Sequence, residues 1–187
     1  TSGPYDDLDP IYLPDGEHFL FSTTRGNTYV RCMPPTSSYV LARCDRDGKN
    51  VYLISRNNEP DYLPSLLHDG RVVYTRWEYT DKPLWRAQSL WTANPDGTQV
   101  NTLWGNQSVW PDLLKDARAI PGSRRVMFTG SAHHNWFSGS IAIIDPTKEL
   151  EKQESYGQKY FELRGRKGLT LFEARKAMRQ RTHFGAM

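Results

Sequence analysis

The amino-acid sequence predicts an all-β fold made of β-propeller blades: about three repeats of a four-stranded antiparallel sheet, a partial propeller, followed by a short C-terminal helix. Three observations carry this. Asp-Gly pairs stand between alternating apolar runs at Asp15-Gly16, Asp47-Gly48, Asp69-Gly70 and Asp96-Gly97, and glycine supplies the positive φ that tight hairpin turns require. The middle third, Glu59 to Asn106, reads as one complete unit of four strands. The prolines that lead the units, Pro10, Pro60 and Pro111, lie 50 and 51 residues apart, and a period of that size with several strands per repeat points to propeller blades.

The first unit, about residues 5–57, runs from Asp9-Pro10 through the turn at Asp15-Gly16 into the strand Glu17 to Ser22. Tyr39 to Cys44 follows, and Asp45-Arg46-Asp47-Gly48 turns the chain into Asn50 to Ile54. The second unit, 58–108, leads from Glu59-Pro60 through Leu63-Pro64-Ser65-Leu66 and Asp69-Gly70 to the strand Arg71 to Trp77. Ser89 to Asn94 comes next, and Pro95-Asp96-Gly97-Thr98 turns it into Gln99 to Trp104. The third unit, 109–146, passes from Trp110-Pro111-Asp112 through Ile120-Pro121-Gly122 to the strand Arg124 to Gly130 and ends at Ser140 to Pro146. Tyr74, Trp91 and Phe128 are expected in blade interiors, where large apolar side chains give the most burial. Residues 147–168 read as a polar linker. Thr170 and Glu173 then form a capping box, in which the hydroxyl takes a backbone N–H while the carboxylate reaches back. It opens a short helix from Leu171 to Met178, with Leu171, Ala174 and Met178 on one side.

The run Arg86 to Gly97 (RAQSLWTANPDG), the strand ends near Ser/Thr-x-Arg-Gly and the stretch Phe128 to His134 resemble the TolB-like, WD-like β-propeller repeat, and among its bearers the propeller region of proteins related to the hydrazine synthase alpha subunit. The resemblance covers residues 5–146. It implies a bacterial, periplasmic or secreted location and membership of a larger, multidomain protein. Function does not follow from it, because function lives in sites grafted on folds.

Composition sets limits. With 37% hydrophobic and 12% aromatic residues the chain can bury a core. No apolar run reaches the roughly 18 residues a membrane span needs. The opening Thr1-Ser2-Gly3-Pro4 has neither initiator Met nor signal peptide, so a piece of something longer is expected. Propellers close with about four to eight blades. A three-unit segment is therefore expected to associate, with a copy of itself or with a partner protein, through its terminal blade faces. From Arg164 onward seven Lys or Arg face one acid, Glu173. No nucleic-acid motif accompanies that charge, so a solvated basic helix face is favoured over nucleic-acid binding.

The chemistry-bearing residues are few. Cys32 and Cys44 could pair across a hairpin closed by Pro34-Pro35 or pack as free thiols. Without a Cys-x-x-Cys-His signature no c-type haem attaches to this segment, and no cofactor is expected. Asp45 to Asn50 imitates the start of a calcium loop, but the twelfth position is Arg56 and a hairpin turn accounts for Asp47 and Gly48. No Gly-x-Ser-x-Gly elbow or phosphate loop is present. His133 and His134 lie in an apparent loop between Gly130 and Gly139, where propellers place binding groups, and are weak metal candidates lacking a third ligand. Together with Trp136, Arg76 and Trp77 they form the expected binding set, for a partner protein or a small ligand at the blade-end loops. The resulting expectation is a non-catalytic binding or scaffold segment. The alternative is the propeller portion of a redox enzyme subunit or hydrolase whose catalytic residues lie outside the chain.

Overall fold

A computed structural model describes residues 3–31, 35–78, 88–105, 110–133, 138–165 and 168–177. Its strands follow the chain. β1 (Asp7–Tyr12), β2 (His18–Thr23), β3 (Val40–Asp45) and β4 (Tyr52–Leu53) form one four-stranded antiparallel sheet in sequence order. β5 (Asp61–Leu66), β6 (Val72–Trp77), β7 (Gln88–Ala93) and β8 (Asn101–Trp104) repeat the same meander. β9 (Leu113–Ala119), β10 (Val126–Ser131) and β11 (Ser140–Ile144) make a third. One parallel pairing, Gln88 beside Leu113, stitches the second sheet to the third. These are three propeller-type blades, as the sequence predicts, except that among the described residues the third has three strands where the others have four.

The turn chemistry explains where the meander continues and where it stops. Gly16, Gly48, Gly70 and Gly97 all adopt positive φ, between 71° and 86°. The second and fourth of these close β3 onto β4 and β7 onto β8, with Gly48 N–H on the Asp45 carbonyl at 2.8 Å and Gly97 N–H on that of Asn94 at 2.9 Å. After β11 the corresponding position is Asp145, and Pro146 follows it. Lys148 stands where the other two blades have the turn glycine, and the chain does not turn back. Instead the Asp145 carboxylate takes the Thr147 N–H at 3.2 Å and caps helix α1 (Pro146–Arg164), with proline at the first helical position, where its missing N–H costs nothing. The expected polar linker at 147–168 is thus largely a 19-residue helix.

The repeat period also needs correcting. Each innermost strand contains one non-glycine residue at positive φ: Asp9 at 53°, Leu63 at 54° and Asp116 at 55°. In β1, β5 and β9 the pairing register shifts at this point, marking a β-bulge. These residues lie 54 and 53 positions apart, so Pro10, just after the bulge, corresponds to Pro64. Pro60 and Pro111 precede their strands, and the regular spacing of the three prolines is a coincidence of composition.

The core lies between the blades. Leu13, Leu20 and Leu41 of the first blade meet Val72, Tyr74 and Ala93 of the second, with Trp91 partly buried at the rim. Val73 and Leu90 on the opposite face meet Leu114, Ala117, Val126 and Phe128 of the third. Tyr74 and Phe128 are therefore blade-interior residues as expected, and Trp91 is only partly so. Helix α2 (Leu171–Ala177) carries the expected capping box, with Thr170 Oγ1 donating to Glu173 Oε2 at 2.7 Å and Glu173 N–H returning to Thr170 Oγ1 at 3.2 Å. Met178 lies outside the described residues. Ala174 is buried, and a Cβ at Gly157 would come within 3.1 Å of the Arg175 Cα, so the two helices pack backbone to backbone at that glycine. Among the described residues no helix is long and apolar enough to cross a membrane.

Candidate functional site

In an up-and-down blade the strand connections alternate between two ends. The tight turns at Gly16, Gly48, Gly70, Gly97 and Gly122 all fall at one end. The opposite end receives the connections 24–39, 78–87 and 132–139 within blades and the crossings between blades at 54–60 and 105–112. These are the longer segments, and longer loops on a rigid sheet are where binding groups are carried. Arg76, Trp77 and His133 from the expected binding set are all at this end. His134 and Trp136 lie outside the described residues.

The described loop-end residues from all three blades converge. Residues 28–31 and 35–38 of the first blade pair with each other, with Val30 N–H on the Thr36 carbonyl at 2.9 Å and Ser38 N–H on that of Thr28 at 2.8 Å. Val30 packs on Trp77 of the second blade. Trp77 also meets the His133 ring of the third, edge-on at 5.1 Å between centroids. Trp77 is 4% exposed and His133 8% exposed, so this is a packed junction.

Hydrogen bonding fixes the histidine. Burial, reinforced by the nearby Asp116 charge, pushes the Tyr62 phenol well above its ordinary pKa; part of the ring reaches solvent, but the hydroxyl is enclosed and stays protonated. It donates to Gln88 Oε1 at 2.7 Å. The Gln88 amide is thereby oriented with its NH₂ toward His133 Nδ1, 2.8 Å away. An acceptor at Nδ1 places the proton of the neutral ring on Nε2. With Nδ1 occupied, a metal could use only the other nitrogen, and among the described residues no three His, Cys, Asp or Glu side chains come together.

Arg76 has a different task. Its guanidinium forks onto Asp61 at 2.8 and 2.9 Å, beneath which Asp61 is fully buried, and it stacks over Trp91 at 4.9 Å. Burial pushes the Asp61 carboxyl up, while Arg76, Ser55 and Asn57 oppose the rise. Such a pair holds the start of β5 against β6 and leaves Arg76 little freedom to meet a ligand.

Three residues at this end escape sequence reasoning. Tyr62 and Gln88 are ordinary strand residues, 26 and 45 positions from their partners. Glu59 resembles a mere lead-in to Pro60, yet its side chain is only 1% exposed. One oxygen, Oε1, takes the Arg31 N–H at 3.4 Å with the Arg31 Nε at 3.5 Å. The other, Oε2, meets no hydrogen-bond partner among the described residues, and burial holds the carboxyl above its ordinary pKa. Cys44 is an unbridged, buried thiol against Phe21 and Ala42; Cys32, with which it could have paired, lies outside the described residues.

No family model and no curated protein matches the chain. Solved structures do. A putative TolB from Agrobacterium tumefaciens superposes with a TM-score of 0.51 at 13% identity, over 75% of this chain and 47% of that one. TolB from Acinetobacter baumannii gives 0.50 at 16% identity, over 75% and 30%. Hydrazine synthase of Kuenenia stuttgartiensis gives 0.59 at 15% identity, over 78% and 24%. The chain thus spans less than half the length of each. At these identities the likeness is one of fold, and it agrees with the blades described above: the chain has a partial β-propeller fold similar to that of TolB.

Proposed function

We propose that this chain is a non-catalytic binding segment of a larger extracytoplasmic bacterial protein, which holds a protein partner on the loop end of its blades. One observation carries the reading. Trp77 of the second blade packs against Val30 of the first and His133 of the third at the end opposite the tight turns, a buried junction that ties three separate connections into one rigid frame. The exposed groups that this frame carries at that end include Tyr29 and Trp110. They suit recognition, in which aromatic and hydrogen-bonding groups on a rigid frame dominate affinity. The terminal blade faces offer a second contact: on the first blade a groove of about 450 Å³ lined by Pro10, Phe19, Phe21, Cys44 and Arg46, and on the third the exposed Ile141 and Ile143.

A second reading has the segment as the propeller portion of a multidomain redox enzyme subunit. The superposition on hydrazine synthase supports it, with the chemistry supplied from elsewhere. Site-specific photo-crosslinking in the source cell separates the readings. A crosslinker in place of Tyr29, at the loop end, is expected to capture a discrete separate protein and to lose it in Trp77→Ala. One in place of Asp69, at the turn end, is expected to capture none. Equal capture from both ends overturns the loop-end reading, and capture only within one polypeptide favours the second.

A further inference from the structure

The outer edge of the third blade is unlike the other two. In the first blade β4 covers the outer edge of β3, and in the second β8 covers that of β7. β11 pairs only with β10 among the described residues, because Asp145-Pro146 diverts the chain into α1 where the other blades turn back. Natural edge strands are usually blunted by Lys, Pro, an inward charge or a bulge. Ser140–Ile144 has none of these: the sequence is SIAII, and its pairing with β10 runs without a register shift.

Its side chains add a second observation. Ala142 and Ile144 turn toward the second blade and join the core there. Ile141 and Ile143 turn the other way and are 72% and 57% exposed. The strand is self-complementary about Ala142. If a second copy is laid against it antiparallel, Ile141 faces the copy's Ile143, Ile143 faces its Ile141, and the two Ala142 residues stand opposite each other. All four isoleucines then share one face. This is the isologous arrangement a two-fold axis produces, in which one patch meets itself, and cross-strand apolar pairs are what stabilise such a ladder.

We infer that β11 is a dimerisation edge: two copies of this chain pair antiparallel through Ser140–Ile144, each supplying the fourth strand that the other's third blade lacks. The occupant is another copy because the missing strand in the other blades is antiparallel to its neighbour, and β11 presents to its own copy a matched row of apolar side chains. The contact is independent of the loop-end site.

Sedimentation equilibrium of the chain at micromolar concentration tests this together with disulfide trapping. The wild type is expected to dimerise, and the Ile141→Lys/Ile143→Lys double variant, folded as judged by circular dichroism, to weaken the dimer by more than about tenfold. Pairing through blade faces would also be sensitive to those lysines, so register decides. Ala142→Cys is expected to crosslink to itself under mild oxidation, since facing residues of an antiparallel pair lie within disulfide reach. Ile141→Cys is not, being offset from its own copy by two residues. A monomeric wild type, a dimer indifferent to the lysines, or trapping through Ile141→Cys but not Ala142→Cys overturns the inference.

Discussion

In the first and second blades an arginine forks the aspartate that opens the innermost strand, Arg76 from the position directly opposite and Arg25 from two residues past it, and the surroundings differ. Asp7 opens β1 and is forked by Arg25, with Oδ2 2.9 Å from Nη2; Asp61 opens β5 and is forked by Arg76 at 2.8 and 2.9 Å. In the first blade both partners keep nearly a fifth of their side-chain surface in water. Burial raises the Asp7 carboxyl somewhat, but the hydrogen bonds from Arg25 and Thr23 outweigh it and the net shift is downward. In the second blade Asp61 has no exposure at all and burial wins. One sheet has a neighbour on each face and the other has a neighbour on one. Two Asp–Arg pairs opening corresponding strands therefore acquire opposite electrostatics from their surroundings.

The same contrast runs through packing. In β6, Val72 and Tyr74 face the first blade while Val73 and Thr75 face the third, Thr75 donating to the Leu114 carbonyl at 2.7 Å. Both faces are dry, so the strand opens on three consecutive apolar residues, Val72-Val73-Tyr74, without polar alternation. In β11 only alternate residues are covered.

The comparison would break first at the ion pairs. Asp61→Asn leaves Arg76 buried beside a neutral amide and is expected to cost about 3–5 kcal/mol in urea unfolding, whereas Asp7→Asn, partly in water, is expected to cost about 1 kcal/mol or less. Equal losses would mean that stacking does not set their environments. The Asp7 contribution is present at neutral pH and is lost only as pH falls below the ordinary carboxylate range through the lowered pKa of Asp7.

Core truncation sharpens it next. Phe128→Ala is expected to cost about 3–5 kcal/mol. Tyr74 is equally buried, but its hydroxyl meets no partner among the described residues. Tyr74→Phe should therefore be neutral or stabilising, and a loss above about 1 kcal/mol would reveal a hydrogen bond at that hydroxyl.

Glycines give a smaller, graded effect. Gly16→Ala meets nothing within 4 Å and should cost only the left-handed backbone penalty of about 1–2 kcal/mol. Gly97→Ala would in addition drive its Cβ into the Ile54 carbonyl oxygen of the first blade, so it should cost more. Thermal melts of the two variants side by side settle the order.

Glu59 offers a test of sign. Its raised pKa means that the folded state holds its proton more tightly, so ionisation subtracts stability as pH rises from the unfolded value through the folded one. Glu59→Gln is expected to raise the melting temperature at pH 7 and to change it little near pH 4. The smallest effect is expected at the open face, where Ile141→Thr in the monomer should shift stability by less than about 0.5 kcal/mol.

Much of the fold is legible in the sequence because tight turns use local chemistry: Asp-Gly marks the same reversal wherever it occurs. The bulge at Asp9, Leu63 and Asp116 has no such marker, since non-glycine residues occupy its left-handed position, and the more conspicuous prolines supplied a false period instead. Helix α1 hides for another reason. Its Asp145-Pro146 start is a recognisable cap, but the 19 residues are mostly polar and show no apolar stripe. At the loop end His133 and Trp77 could be picked as loop-flanking residues. Tyr62, Gln88 and Glu59 owe their roles to neighbours distant in sequence, and no local pattern announces them.

Amide hydrogen exchange tests most directly the claim that the second blade is stabilised by neighbours on both faces and the third by one. It is best done on the Ile141→Lys/Ile143→Lys variant, in which edge pairing does not intervene. The account predicts that amides of Val72 to Trp77 exchange only through global unfolding, while those of Ser140 to Ile144 that face the open edge exchange by local opening, orders of magnitude faster. Equal protection of β6 and β11, or local opening of β6, would contradict it.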